Sequence, residues 1–216
     1  MEAITDNLDL FGRGILKTLE ICLWSGVLAL VIGTIIAMFR VSPLLPLRAT
    51  GTIWVNAIRN CPLTIVLYFL AFGLPEAGVT GTFVKFGISG LAIYTSAFVC
   101  EAIRSGVNSV AFGQAEAARA IGLGFIQSLR FVVLPQAFRT VLPPLGNVLI
   151  AMIKNSAIVG AFGVGGELYS VGQSLTSAQG YAALPVLTGI TIGYLILTLP
   201  AGALVGYLER RVAIVR

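Results

Sequence analysis

Long stretches without a formal charge constrain this chain more than any motif does. Residues 21–39, 86–100 and 168–208 carry none, 49–75 contains only Arg59, and 140–166 contains only Lys154. A helix needs about 20 predominantly apolar residues to cross the hydrocarbon core of a bilayer. Within that core only helices and closed barrels satisfy their own backbone groups. No window shows the two-residue alternation of a strand, and no internal repeat is found. The expectation is one all-α transmembrane domain over 1–216, with five crossings near 14–39, 51–73, 83–104, 141–163 and 183–207. Only 11% of the residues are charged, against about 25% in soluble domains.

An odd number of crossings puts the termini on opposite sides. With the N-terminus outside, Arg40, Arg48, Arg104, Arg119, Arg130, Arg139, Arg210, Arg211 and Arg216 fall inside, and Arg13, Lys17 and Lys85 outside. This is the asymmetry of the positive-inside rule, so the net charge of +5 needs no nucleic-acid partner to explain it. Acidic residues precede the first apolar run, which is too long for a cleaved signal peptide, so the first crossing is expected to stay. Cys22, Cys61 and Cys100 fall within crossings at unrelated spacings, and the chain has no histidine. Neither a disulfide framework nor a metal site is expected.

The inner segment 105–140 is much longer than an ordinary connection, which marks it as a folded functional loop. Its alanines predict a short helix over 114–121 with Glu116 in the opening turn, where the helix dipole favours an anion. Gly122 and Gly124 break it, and a second helix over 125–133 is expected to stop at Leu134-Pro135. The outcome is a helical elbow across the inner mouth.

Glu116-Ala117-Ala118, three residues, Gly122, nine residues, then Val132-Val133-Leu134-Pro135 resembles the EAA loop of ABC-transporter permeases, with Val132 in place of isoleucine. Phe11-Gly12-x-Gly14-x-x-x-Thr18, Arg59-Asn60-x-Pro62-Leu63-Thr64, Phe98-x-x-Glu101-x-x-Arg104-Ser105-Gly106, Gly113-Gln114, Leu134-Pro135-Gln136 and Lys154-Asn155-Ser156 resemble the five-span permeases for polar amino acids. Tyr94-Thr-Ser-Ala-Phe-Val99, Phe112-Gly-Gln-Ala-Glu-Ala-Ala-Arg119 and Pro144-Leu-Gly-Asn-Val-Leu-Ile150 bring the likeness nearest to permease subunits of bacterial glutamate uptake systems.

The resemblance implies a type I ABC importer permease fold in the bacterial plasma (inner) membrane, with the elbow as a cytoplasmic coupling helix. It also implies partners: two ATPase subunits, a second permease subunit in a homo- or heterodimer, and an external substrate-binding protein. Glu116, Ala117, Ala118, Gly122, Leu134 and Pro135 are the coupling residues it marks. The chain has no Gly-x-x-x-x-Gly-Lys-Ser/Thr loop, so it is expected to be non-catalytic and without a cofactor of its own. ATP and Mg would belong to the ATPase.

Charges within crossings point to a pathway, because an ionised side chain facing lipid is unfavourable. Arg59 and Lys154 are therefore candidate substrate-path residues, and Asn155 and Ser156, which follow Lys154 and add amide and hydroxyl donors and acceptors, join them. In the resembled family the stretch at 154–156 is commonly Lys-Asp-Thr/Ser-Ser, so Asn155 is neutral where an acid is usual. A neutral amide does not repel a side-chain carboxylate, which points to glutamate, with glutamine or another polar amino acid as the alternative. The competing reading of Arg59, Asn155 and Ser156 is that they snorkel or join helices. Glu101 and Arg104 can pair at i, i+3, in a structural or gating role. A secondary amino-acid transporter is the rival of another class, though it would usually show repeats and an ion-coupling site.

Overall fold

The computed structural model describes residues 2–212, and all its regular elements are helices. They run α1 (Glu2–Thr5), α2 (Leu8–Val41), α3 (Leu45–Arg59), α4 (Leu63–Tyr68), α5 (Leu74–Glu76), α6 (Phe83–Asn108), α7 (Phe112–Ala120), α8 (Phe125–Ser128), α9 (Leu134–Ala161), α10 (Leu168–Ser177) and α11 (Ala183–Val212). Helices long and apolar enough to span a membrane cover Leu8–Val41, Phe83–Asn108, Phe125–Ala161 and Ala183–Arg211. At about 1.5 Å per residue, the 34 residues of α2 outreach a hydrocarbon core of about 30 Å. Its first turns carry exposed Asp9–Arg13 and Lys17–Glu20 pairs.

The second crossing differs from the uninterrupted helix expected over 51–73. It is a broken pair, Leu45–Arg59 and Leu63–Glu76, bent by 101°. Pro62 is the cause: it sits in extended geometry at φ −61°, ψ 140°, lacks an N–H, and pushes the preceding Cys61 out of helical conformation. Its lack of charge had made Asn60-Cys61-Pro62 read as part of one span. A π-turn over Phe69–Gly73 joins α4 to α5, with the Leu74 N–H donating to the Phe69 carbonyl five residues back.

A second difference lies in the uncharged run after the fourth crossing, where α10 forms a separate short helix. Gly163, Gly165 and Gly166 have φ of +80°, +74° and +76°, a region that side chains resist. They turn the chain so that Glu167 caps α10, accepting from the backbone N–H groups of Tyr169 (2.7 Å) and Ser170 (2.6 Å). The carboxylate is fully buried. It lies against Gly160 of α9, where a Cβ would collide with it.

Helices α2 and α6 cross at the centre. A Cβ on Gly33 would stand 2.6 Å from Val99 Cγ1 and 2.7 Å from the Ser96 carbonyl oxygen, so the two backbones meet where only glycine fits. Small residues permit such approach between helices in lipid. Ser25 donates to the Ile88 carbonyl (3.2 Å), Trp54 Nε1 to Ser96 Oγ (3.3 Å), and the Leu168 N–H to Thr18 Oγ1 (3.1 Å). One apolar cluster joins Ile21, Leu67, Leu91, Met152 and Val159. A second, around Phe11, Leu168, Leu175 and Val186, seats α10 on α2 and α11, and a third contains Ile36, Val55 and Cys100. The most apolar window of α6 is 56% buried, that of the span ending in α9 only 11%.

The glycine fit yields a paired expectation for thermal unfolding of the purified protein in detergent. Gly33→Ala lowers the Tm by forcing α2 from α6, an overpacking cost of about 1–3 kcal/mol. Gly12→Ala, with nothing within 4 Å of the added carbon, leaves the Tm unchanged or raised. Equal Tm values for the two variants would contradict the close crossing.

Candidate functional site

The elbow begins at α7, two residues earlier than the sequence suggests, so Glu116 stands in its second turn and not its first. Gly122 has φ of +88°. The Gly122 N–H donates to Arg119 O (2.9 Å) and the Leu123 N–H to Ala118 O (3.1 Å), a Schellman closure. Gly124 differs from the expected left-handed break: at φ −65°, ψ 166° it is an extended N-cap, and its N–H donates to Gln127 Oε1 (3.0 Å).

The helical path also continues past Leu134-Pro135, where a stop was expected. Over Leu129–Val133 the chain makes a π-turn, and the Leu134 N–H reaches the Leu129 carbonyl. Pro135 then occupies the first turn of α9, where a missing N–H costs little.

Within the elbow Ala118 is buried, while Glu116, Ala117, Gly122, Leu134 and Pro135 are exposed. Ile121, Phe125 and Ile126 stand 79%, 75% and 70% exposed. Glu116, one to two turns before Ile121 in sequence, has no ion-pair partner among the described residues.

Between α6 and α9 lies a cavity of ≈ 230 Å³, lined by Tyr94, Thr95 and Phe98 from α6 and by Val148, Ala151, Met152 and Asn155 from α9. That is below the range of about 300–1,000 Å³ typical of drug-sized ligands and suits a smaller molecule. The Tyr94 and Phe98 rings are 5.2 Å apart. Arg59, at the end of α3 where the second crossing breaks, places its guanidinium carbon 5.5 Å from the Phe98 ring centroid, a cation–π contact. The fold thus brings Asn155 and Arg59 to the same neighbourhood.

Lys154 and Ser156 go elsewhere. Lys154 is exposed on α9. Ser156 is fully buried, donates to the Ile153 carbonyl at 2.7 Å and lies beside Cys22 and Tyr194. Among the described residues the ion pairs are Asp9–Arg13, Lys17–Glu20, Arg40–Glu101 and Glu101–Arg104, which leaves Arg59 and Lys154 without a carboxylate.

Glu101 Oε2 accepts from Arg104 Nη2 (2.8 Å) and Nε (3.2 Å), and Oε1 accepts from Arg40 Nη1. The pair is therefore a triad that ties the end of α2 to α6. Arg40 was legible in sequence only as an inner-side charge. The pocket's other walls were also missed as site residues, although 148, 151, 152 and 155 fall on one helix face by the i, i+3, i+4, i+7 rule.

The description "binding-protein-dependent transport system inner membrane component" matches residues 29–214. The chain is 40% identical over 209 residues to the glutamate transport system permease protein GluC of Corynebacterium efficiens, covering 91% of each. It is 38% identical over 206 residues to the probable glutamine ABC transporter permease protein GlnM of Bacillus subtilis, covering 95% of this chain and 94% of the relative. The fold is similar to the crystal structure of an amino acid ABC transporter with histidines, with a TM-score of 0.90, 32% identity and 96% of each chain covered. The chain belongs to the family of binding-protein-dependent transport system inner membrane components, as an amino acid ABC importer permease and a membrane transport component rather than a catalytic enzyme.

Proposed function

We propose that this permease carries L-glutamate, with glutamine as the alternative, as one of two permease subunits driven by two ATPase subunits. The carrying observation is the small α6–α9 pocket, in which Asn155 supplies an amide and beside which Arg59 has no carboxylate partner. An acidic amino acid brings two carboxylates and one ammonium, so its path needs donors and an uncompensated cation. An acid at position 155 would instead favour a basic substrate. The likeness to a glutamate permease and to a glutamine permease supports this substrate class.

In this reading the elbow is cytoplasmic, the N-terminus is outside and the C-terminus inside the bacterial plasma membrane. An external binding protein delivers substrate to the outer turns. ATP and Mg bind the ATPase subunits, whose closure displaces the elbow and switches the pocket between outward and inward access. Each state must bind its partners with different affinity for ATP to drive the change. The weakly covered α9 faces the second permease across the path, which places the exposed Lys154 there. Ser156 contributes by anchoring α9 to the core. Glu116 and the exposed Ile121 and Phe125 meet the ATPase.

The substrate assignment is tested by ATP-dependent uptake of labelled amino acids into vesicles holding the purified complex. Asn155→Asp should reduce glutamate uptake at least about ten-fold, since like-charge juxtaposition costs several kcal/mol and 1.4 kcal/mol is ten-fold; an unchanged preference removes Asn155 from the path. Glu116→Lys should strip the ATPase from the complex in detergent, read by co-purification, and retention at wild-type stoichiometry would argue against the elbow as the docking element.

A further inference from the structure

At the root of the elbow, two hydroxyls and one glycine carbonyl come together between α6 and α9. Ser109 Oγ lies 2.9 Å from Thr140 Oγ1, and Thr140 Oγ1 lies 3.0 Å from the Gly106 carbonyl oxygen. Each hydroxyl carries one proton, and carbonyl oxygens compete for both, Gly106 at 2.7 Å from Ser109 Oγ and Ala137 at 2.9 Å from Thr140 Oγ1, so one hydroxyl donates to the other across the two helices and the second turns its proton to a carbonyl. The helices meet here with little between them: a Cβ on Gly106 would overlap the Val141 side chain and stand 3.0 Å from its backbone nitrogen.

The elbow is tied to the same place. Gln136, one turn before Thr140 on α9, donates from Nε2 to the Val132 carbonyl at 3.0 Å and approaches Gln114 Oε1 of α7 at 3.4 Å. Displacing α7 therefore loads the first turn of α9 directly.

The pocket lies at a matched distance on both helices. Phe98 precedes Gly106 by eight residues on α6, and Val148 follows Thr140 by eight on α9, about 12 Å in each case at 1.5 Å per residue. A fastening at this level fixes the separation of the two pocket walls. The intervening backbone is unbroken helix on α6, and on α9 it stays helical through Pro143 and Pro144, where two backbone N–H groups are missing and the helix can bend.

We propose that Gly106, Ser109 and Thr140 are positioning residues that form a transmission joint, through which an elbow displacement turns α6 and α9 as one body and reorients the pocket between them. Without these hydroxyls the elbow would move α9 alone and open the walls without reorienting them. This deepens the proposed function and rests on it in taking the elbow as the driven element.

The test uses the complete complex with its ATPase subunits and binding protein. Thr140→Val should co-purify intact but lower amino acid uptake per ATP hydrolysed by at least about five-fold, the lower end of site-to-site couplings, and Thr140→Ser should restore it. A wild-type ratio in Thr140→Val overturns the joint. The double variant Ser109→Cys with Thr140→Cys separates joint motion from sliding, since the native hydroxyls lie within disulfide reach. If α6 and α9 turn together, oxidation raises coupled uptake above the reduced form; if they slide past one another during the cycle, oxidation blocks uptake and the proposal fails. Spin labels at Val107 and Phe138 report α6–α9 separation without any substrate. Their distance should be the same with and without ATP, and an ATP-dependent change overturns the joint. Absence of both glutamate and glutamine uptake by the wild-type complex would instead count against the proposed function, leaving the label distance to judge the joint.

Discussion

Helices in a bilayer gain nothing by hiding apolar surface from lipid, so the arrangement rests on how closely α2 and α6 approach. Gly33 opposite Ser96 and Val99 brings dispersion contacts into range along the crossing. The Arg40–Glu101–Arg104 triad fastens the same two helices near the end that carries the elbow. Other elements are placed by reference to this pair: α3 against both, α4 against α6, α9 along α6, and α10 on the Gly14 and Thr18 side of α2.

That hierarchy explains where the candidate site falls. Helix α6 is enclosed by its neighbours, whereas the span ending in α9 is only 11% buried along its most apolar window, so the cavity between them has one wall packed within the chain and one wall largely uncovered. Arg59 reaches the cavity's edge because the second crossing breaks beside it, and Phe98 receives the guanidinium where a carboxylate is absent. An unpaired cation of this kind is tolerated in a span only next to protein or water. The extended geometry of Pro62 ends the helix beside Arg59 and so sets the cation at the edge of a cavity that α6 and α9 form between them.

The helical class and the main crossings were legible because charge-free length is a direct physical requirement of the bilayer. The elbow was legible because Gly122 and the alanines act locally. Pro135 misled for an instructive reason: its effect on the preceding residue argues for a stop, yet a π-turn absorbs it and the helix continues. Pro62 misled in the opposite sense, since charge patterning is blind to a kink in an uncharged run. Of the candidate residues, Asn155 and Arg59 converge through contacts with Phe98 and the α6–α9 cavity that no linear spacing contains. Ser156 points inward because its helix face meets Cys22 and Tyr194, and Arg40 joins Glu101 across 61 positions of sequence.

Two segments share one construction: Phe69–Gly73 and Leu129–Val133 are both π-turns, each followed immediately by Leu-Pro. A π-turn accommodates one residue beyond the α-helical repeat. Each such segment is therefore a stored insertion that sets the angular phase between what lies before and after it. A chain shorter by a single residue within 129–133 would keep its hydrophobicity and its crossings, yet it would present the elbow rotated by about 100° about the axis of α9, the angle of one α-helical step. In this architecture, residue count within a few turns is as much a part of the machinery as residue identity.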